Sequence, residues 1–161
     1  MNRKIIVKTL LCHIAILFFT IFLSARVIST FNGNIILEMI HSMVVTCLYI
    51  GSGYAIAKSE TDRDYLSYFA VFFVGFTIWL IAFISSPGYV NWKLGADPIW
   101  LIYRLYVISY EPLLSRLISL DDVKVTIALL LILSSLPSIF TLVGMKIREI
   151  KTLPNKTQPS A

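Results

Sequence analysis

Residues Ile35 to Ala57 read IILEMIHSMVVTCLYIGSGYAIA, an apolar run with a single charged side chain, Glu38. A helix needs about 20 mainly apolar residues to cross a hydrocarbon core ~30 Å thick. Three further runs of this kind lie at about residues 5–25, 65–84 and 123–145. The sequence therefore predicts an all-α integral membrane protein with four transmembrane helices. These form one domain over residues 1–150, followed by a polar tail, 151–161.

The composition agrees with a location in the lipid bilayer. Hydrophobic residues make up 57% of the 161 residues, and the mean hydropathy is +0.80. Soluble domains average roughly 45–50% apolar residues. The net charge is +5, but the basic residues flank the apolar runs, which is typical of membrane orientation. We therefore expect no nucleic-acid partner.

An outer segment, about residues 85–122, connects the third and fourth spans. Asp97-Pro98 predicts a helix start, because a capping side chain precedes a proline at the first helical position. We expect this helix at about 98–110. A charged side chain costs ~2.5–3.5 kcal/mol at the centre of a transmembrane helix, and the stretch from Ile99 to Leu120 has three of them: Arg104, Glu111 and Arg116. The segment is therefore predicted to hold an interfacial helix rather than a fifth span.

The distribution of lysine and arginine predicts the orientation. Nine basic residues fall on the side of the N terminus and five on the opposite side. Cytoplasmic loops have an excess of basic residues, so both termini and the 151–161 tail are predicted to be cytoplasmic. We expect a multi-pass protein of the plasma membrane, of bacterial inner-membrane type.

Glu38 and His41 are candidates for a polar pair inside the membrane, because residues three apart share a helical face. Ionisable groups in a membrane are costly and often functional. One interpretation is a proton-sensitive or ligand-binding site. The other is an interfacial glutamate that pairs with His41, Arg26 or lipid. The Glu-x-x-His spacing of di-iron bundles needs further carboxylates on other helices, so we predict no metal site.

Two features of the spans indicate helix packing. Cys47, Gly51 and Ala55 form a row of small residues at steps of four, which permits close helix approach. We interpret this row as a packing surface, either inside the bundle or with a partner. His13, near the middle of the first span, is interpreted as a hydrogen-bonding residue that contacts a neighbouring helix.

The outer segment has an aromatic face that is a candidate partner surface. Tyr103, Tyr106 and Tyr110 share one face of the predicted helix, with Arg104 beside it. Tyrosine and arginine are enriched among residues that dominate interface energies. The alternative is that these tyrosines anchor the helix in the headgroup layer.

The motifs of common enzymes are missing from the sequence. There is no GxSxG, HExxH, phosphate-binding loop or dinucleotide fingerprint. We therefore predict no catalytic residues and no cofactor. The sequence favours a non-enzymatic accessory, immunity or assembly protein that binds another membrane protein, or itself as a homo-oligomer. The alternative is a small transporter or channel subunit that uses Glu38 and His41.

Overall fold

The computed structural model describes residues 2–31, 35–57, 64–85, 98–110 and 123–152. All regular elements within these ranges are helical, which confirms the predicted all-α class. In chain order they are α1 (Arg3–Phe31), α2 (Ile35–Ile56), α3 (Tyr65–Tyr68), α4 (Ala70–Ser85), α5 (Pro98–Tyr106), a 3₁₀ turn (Ile108–Tyr110) and α6 (Val123–Thr152). The predicted tail, 151–161, lies outside the described residues beyond Thr152.

Three helices are long and apolar enough to cross a membrane. They are α1 over Arg3–Leu23, α2 over its full length, and α6 over Leu129–Lys151. The predicted third span is divided, because the chain turns at Phe69 between α3 and α4. The Phe69 amide donates to the carbonyl of Leu66, three residues back, which is the tighter 3₁₀ pattern. This leaves α4 with 16 residues.

Glycines bring α2 and α6 into close contact. A Cβ atom on Gly53 would overlap the backbone of Thr141, and one on Gly144 would overlap the backbones of Ile50 and Tyr54. Small residues at such positions let two helix backbones approach closely. At Gly53 and Gly144 the backbones of α2 and α6 therefore lie in direct contact.

The inward face of α1 repeats at helical spacing. Its buried residues follow steps of three and four: Ile5, Thr9, His13, Ile16 and Thr20. The two threonine hydroxyls donate to carbonyls of their own helix, Thr9 to Ile5 and Thr20 to Ile16. Because these two hydroxyls are already satisfied, His13 is the side chain of this face that forms a hydrogen bond to another helix.

Helix α5 lies among the long helices. The Tyr106 hydroxyl donates to the carbonyl of Val71, and its ring lies against Gly75. Both residues belong to the first two turns of α4. The Tyr103 hydroxyl donates to the carbonyl of Leu130 in α6. The predicted start at Pro98 is confirmed, and Trp100 and Tyr103 of this helix belong to the core of the bundle. Its interfacial position stays a prediction.

One end of the bundle, which we call the polar end, joins the starts of α1 and α3 to the ends of α2 and α6. The Asn2 amide donates to the Asp64 carboxylate at 2.5 Å and to the Ser67 hydroxyl at 2.7 Å. The Ser67 hydroxyl donates to Asp64 at 2.8 Å. The Arg148 guanidinium donates to the Tyr54 carbonyl at 2.9 Å. These contacts place the first and last helices with their chain ends at the same end of the bundle.

Candidate functional site

Three buried polar side chains from three elements meet in the middle of the bundle. Nδ1 of His13 in α1 lies 2.8 Å from the phenolic oxygen of Tyr49 in α2. That oxygen lies 3.4 Å from the hydroxyl of Ser109 in the 3₁₀ turn. The three residues are 2%, 1% and 1% exposed. We call His13, Tyr49 and Ser109 the central polar row. The predicted contact of His13 with a neighbouring helix is confirmed.

Aromatic rings enclose the central polar row. The Tyr106 ring lies tilted against the His13 ring, with the centroids 4.6 Å apart. The Tyr110 ring is nearly parallel to the Tyr49 ring at 6.3 Å. Offset and tilted ring contacts at these distances are favourable. The rings restrict the planes of His13 and Tyr49, so the hydrogen-bond geometry of the row is held by packing.

The hydrogen bonds of the row can run in either direction. A neutral imidazole has one donor nitrogen and one acceptor nitrogen. If Nδ1 of His13 accepts, Tyr49 donates to it and accepts from Ser109. If Nδ1 bears the proton, Tyr49 accepts it and donates to Ser109. Both arrangements satisfy the row. In both, Nε2 of His13 is buried and has no hydrogen-bond partner among the described residues.

The predicted Glu38–His41 pair is not a hydrogen-bonded pair. His41 is buried, at 8% exposure, while Glu38 at the start of α2 is half-buried. Neither ring nitrogen of His41 has a hydrogen-bond partner within the part of the chain that the structure describes. His41 shares its inward face of α2 with Val45 and Tyr49, so it is aligned with the central polar row instead.

The tyrosines of the predicted partner surface, on α5 and the following 3₁₀ turn, face inward. Tyr103 and Tyr110 are fully buried, and Tyr106 is largely buried with its hydroxyl bonded to α4. Arg104 is partly exposed. The hydroxyls of Tyr103 and Tyr106 donate to backbone carbonyls inside the bundle, which offsets the cost of burying them. The exposed residues of α5 are aliphatic: Leu101, Ile102 and Leu105.

The row Cys47, Gly51 and Ala55 lies on the outer face of α2. All three residues are exposed, and no atom lies within 4 Å of a Cβ built on Gly51. The interpretation of this row as packing inside the bundle is therefore wrong. The inward glycine is Gly53, two residues further on, which is about 200° around the helix. Contact of the row with a partner stays a prediction.

Metal binding has no visible basis among the described residues. They contain no group of three or more histidine, cysteine, aspartate or glutamate residues placed to hold a metal ion. Cys12 and Cys47 are free thiols. Sequence reasoning identified His13 but missed Tyr49 and Ser109. The available signal was the eight-residue spacing of His41 and Tyr49, which puts both on one face of α2.

Comparisons with protein-family models, with curated proteins and with solved structures find no match to this chain. Its function is therefore argued from the arrangement of its own residues.

Proposed function

We propose that this chain is a non-enzymatic, four-span membrane protein that acts by binding another membrane protein, or a second copy of itself, through the outer face of α2. The observation behind this proposal is the contrast among the glycines of the described residues. Gly53, Gly75 and Gly144 each lie against another helix, whereas Gly51 faces open space. A partner helix can approach Gly51 as closely as α6 approaches Gly53.

The residues beside Gly51 support the same proposal. Cys47 precedes it by one turn and Ala55 follows it by one turn, and both are exposed. Other exposed positions of the bundle bear large side chains, such as Phe18, Phe22 and Ile84. Large side chains keep a partner backbone at a distance, so the row offers the closest approach on this surface.

In the proposed four-span topology, α3 and α4 together form the third span in chain order, in addition to α1, α2 and α6. The turn at Phe69 keeps the helical ladder nearly continuous, because the Phe73 amide donates to the Phe69 carbonyl at 3.0 Å. The stretch from Tyr65 to Ser85 is then about as long as the ~20 residues that a span requires. In this topology α5 enters the bundle from the outer side, where irregular backbone is tolerated because protein surrounds it.

The proposed orientation places the polar end in the cytoplasm of a plasma-membrane protein. Cytoplasmic segments have an excess of lysine and arginine. The basic residues that the structure places at or near this end are Arg3, Lys4, Lys8, Lys146, Arg148 and Lys151. Labelling of single introduced cysteines at residues 3 and 91 tests the orientation. Labelling of both positions from the same side contradicts the four-span topology.

The test of partner binding compares two variants of α2. Two differently tagged copies of the chain are co-expressed in a Cys12→Ser background, and membranes are treated with a mild oxidant. Contact between copies at the row gives a disulfide through Cys47. Contact with a different protein gives instead a complex of higher mass in native mass spectrometry after mild extraction. Gly51→Leu should lower either complex at least tenfold.

Met39→Phe is the matched control, because Met39 is exposed and lies ~18 Å along α2 from Gly51 and about 120° around it. It adds bulk to the same helix without filling the row, so the complex should persist. A wild-type protein that is monomeric in both measurements, or an equal loss in both variants, contradicts the proposed function.

A further inference from the structure

We propose that the central polar row is a proton relay, in which a proton taken up at Nε2 of His13 results in release of a proton from the hydroxyl of Ser109. The row is a chain of three groups, each of which can both donate and accept a hydrogen bond. The N–O distance is 2.8 Å and the O–O distance is 3.4 Å. This inference is independent of partner binding through α2.

The relay balances with water as the proton donor and acceptor at its two ends. A hydronium ion gives its proton to Nε2 of His13, and the Nδ1 proton passes to the oxygen of Tyr49. The original Tyr49 proton passes to Ser109, and Ser109 gives its own proton to water. One proton is taken up and one is released. The row is reset when Nε2 of His13 loses its proton to water, Nδ1 takes one up again from water, and the two hydroxyls rotate back.

The surroundings of His13 favour passage of a proton through its imidazole over a stable protonated form of the ring. The groups that face its ring from α2 and α5 are the phenols of Tyr49 and Tyr106, and Tyr110 lies one ring further. Helix α4 has no ionisable residue. Those of α6 are Lys124 in its first turn and the residues from Lys146 to Lys151 at the polar end.

The remaining ionisable residues of α1, α2 and α5 lie aside from the row. In α1, Cys12 packs with the cluster at the polar end, the three basic residues near its start are exposed, and Arg26 lies more than three turns beyond His13. In α2, His41 and Glu38 are more than two turns from Tyr49, and in α5 Arg104 is partly exposed. A protonated imidazole at this depth thus has no carboxylate beside it within the described ranges, and an unpaired buried charge is costly.

Buried polar atoms continue beyond the row in the direction of His41. The Tyr110 hydroxyl is buried without a hydrogen-bond partner among the described residues, as are both ring nitrogens of His41. Eight residues along α2 separate His41 from Tyr49, which is ~12 Å. Buried polar groups of this kind hold internal water molecules in folded proteins. Water at these atoms supplies the proton acceptor on the Ser109 side.

The experiment measures proton flux through the full-length protein. The chain is reconstituted into liposomes that contain a pH-sensitive dye, and a potassium diffusion potential drives protons inward. We expect a faster change of internal pH than in protein-free liposomes. Tyr49→Phe keeps the ring and removes the middle oxygen, so the rate should fall at least tenfold. Ser109→Ala interrupts the row at a second position and should act in the same way.

Tyr103→Phe is the matched control. It also removes one buried phenolic hydroxyl, but that hydroxyl bonds to the Leu130 carbonyl and not to the row, so the flux should be retained. Each variant is first required to be monodisperse. If Tyr49→Phe does not fold, Ser109→Ala serves as the variant that interrupts the row. Wild-type flux no faster than that of empty liposomes overturns the relay. So does wild-type flux in the row variants, or an equal loss in Tyr103→Phe.

Discussion

The phenolic oxygen of Tyr49 lies 2.8 Å from Nδ1 of His13, and through this oxygen α1 and α2 are both connected to the 3₁₀ turn. The contact joins residues 36 positions apart. The contact lies near the middle of both helices. The sequence alone indicates that these helices are neighbours, because they follow each other in the chain, but it does not indicate which residues touch. The stability of the bundle centre should therefore depend on this atom more than on any neighbouring hydroxyl that bonds within its own helix.

Removal of the Tyr49 hydroxyl should destabilise the protein. In Tyr49→Phe, both His13 and Ser109 lose a partner while they stay buried, and an unsatisfied buried polar group costs ~1–3 kcal/mol. Thermal unfolding in detergent measures the effect. The double variant His13→Leu/Tyr49→Phe should recover part of the loss, because replacing both partners with apolar groups is nearly neutral. Simple addition of the two single losses would show that the hydrogen bond contributes nothing.

Replacement of Gly53 or Gly51 in α2 by alanine should change the stability of the protein in opposite directions. Gly53→Ala puts a Cβ into the backbone of Thr141, which forces α2 away from α6, and overpacking costs ~1–3 kcal/mol. Gly51→Ala meets no atom, and it should stabilise the isolated monomer by about 0.5–1 kcal/mol, because glycine is the poorer helix former. Denaturation of the two variants side by side provides the measurement. Equal effects would contradict the assignment of inner and outer faces.

Asp64 should make the polar end sensitive to acid. The hydroxyl of Ser67 and then the backbone amide of Asn2 donate to its carboxylate and lower its pKa. A lowered pKa stabilises the folded state above the unfolded value of ~3.9, and this contribution is lost as the pH falls through the folded value. The melting temperature of Asp64→Asn should therefore be below that of the wild type at pH 7, and the gap should close below about pH 4. A gap that stays constant with pH excludes the carboxylate as its source.

Alanine at Tyr106 of α5 or at Tyr110 of the 3₁₀ turn should lower the amount of folded protein. Tyr106 and Tyr110 are packed against His13 and Tyr49, and truncation of a buried aromatic side chain costs ~3–5 kcal/mol. Abundance in the membrane and monodispersity after extraction report the loss. Ile102→Ala, on the exposed face of the same helix, should leave both unchanged. Normal abundance of Tyr106→Ala would instead favour the exposed surface that the sequence suggested.

The long apolar helices were predictable because their signal lies in length and composition alone. Ile35–Ile56 matches the predicted second span closely, and Pro98 marks the start of α5 as its capping pattern indicated. The inner face of α2 was not predictable. Both of its faces are apolar, and glycines at positions 51 and 53 offer small-residue contacts on opposite sides.

The candidate site was only partly predictable, for a related physical reason. His13 is conspicuous because ionisable residues are rare in spans. Tyr49 and Ser109 are residue types that also occur at interfaces and next to lipid headgroups. The placement of α5 depends on carbonyl groups of Val71 and Leu130 as acceptors. Every residue has a carbonyl group, so no sequence pattern distinguishes these two.

The two phenols of α5 have a consequence for the biogenesis of the protein. Tyr106 bonds to Val71, which the ribosome makes before α5, whereas Tyr103 bonds to Leu130, which it makes afterwards. When α5 emerges, one of its hydroxyls has a partner already in place and the other does not. Helix α5 therefore packs against α4 first, and its hydrogen bond to Leu130 forms only after α6 is inserted. A chain released before α6 lacks the Leu130 carbonyl that accepts the hydrogen bond of Tyr103.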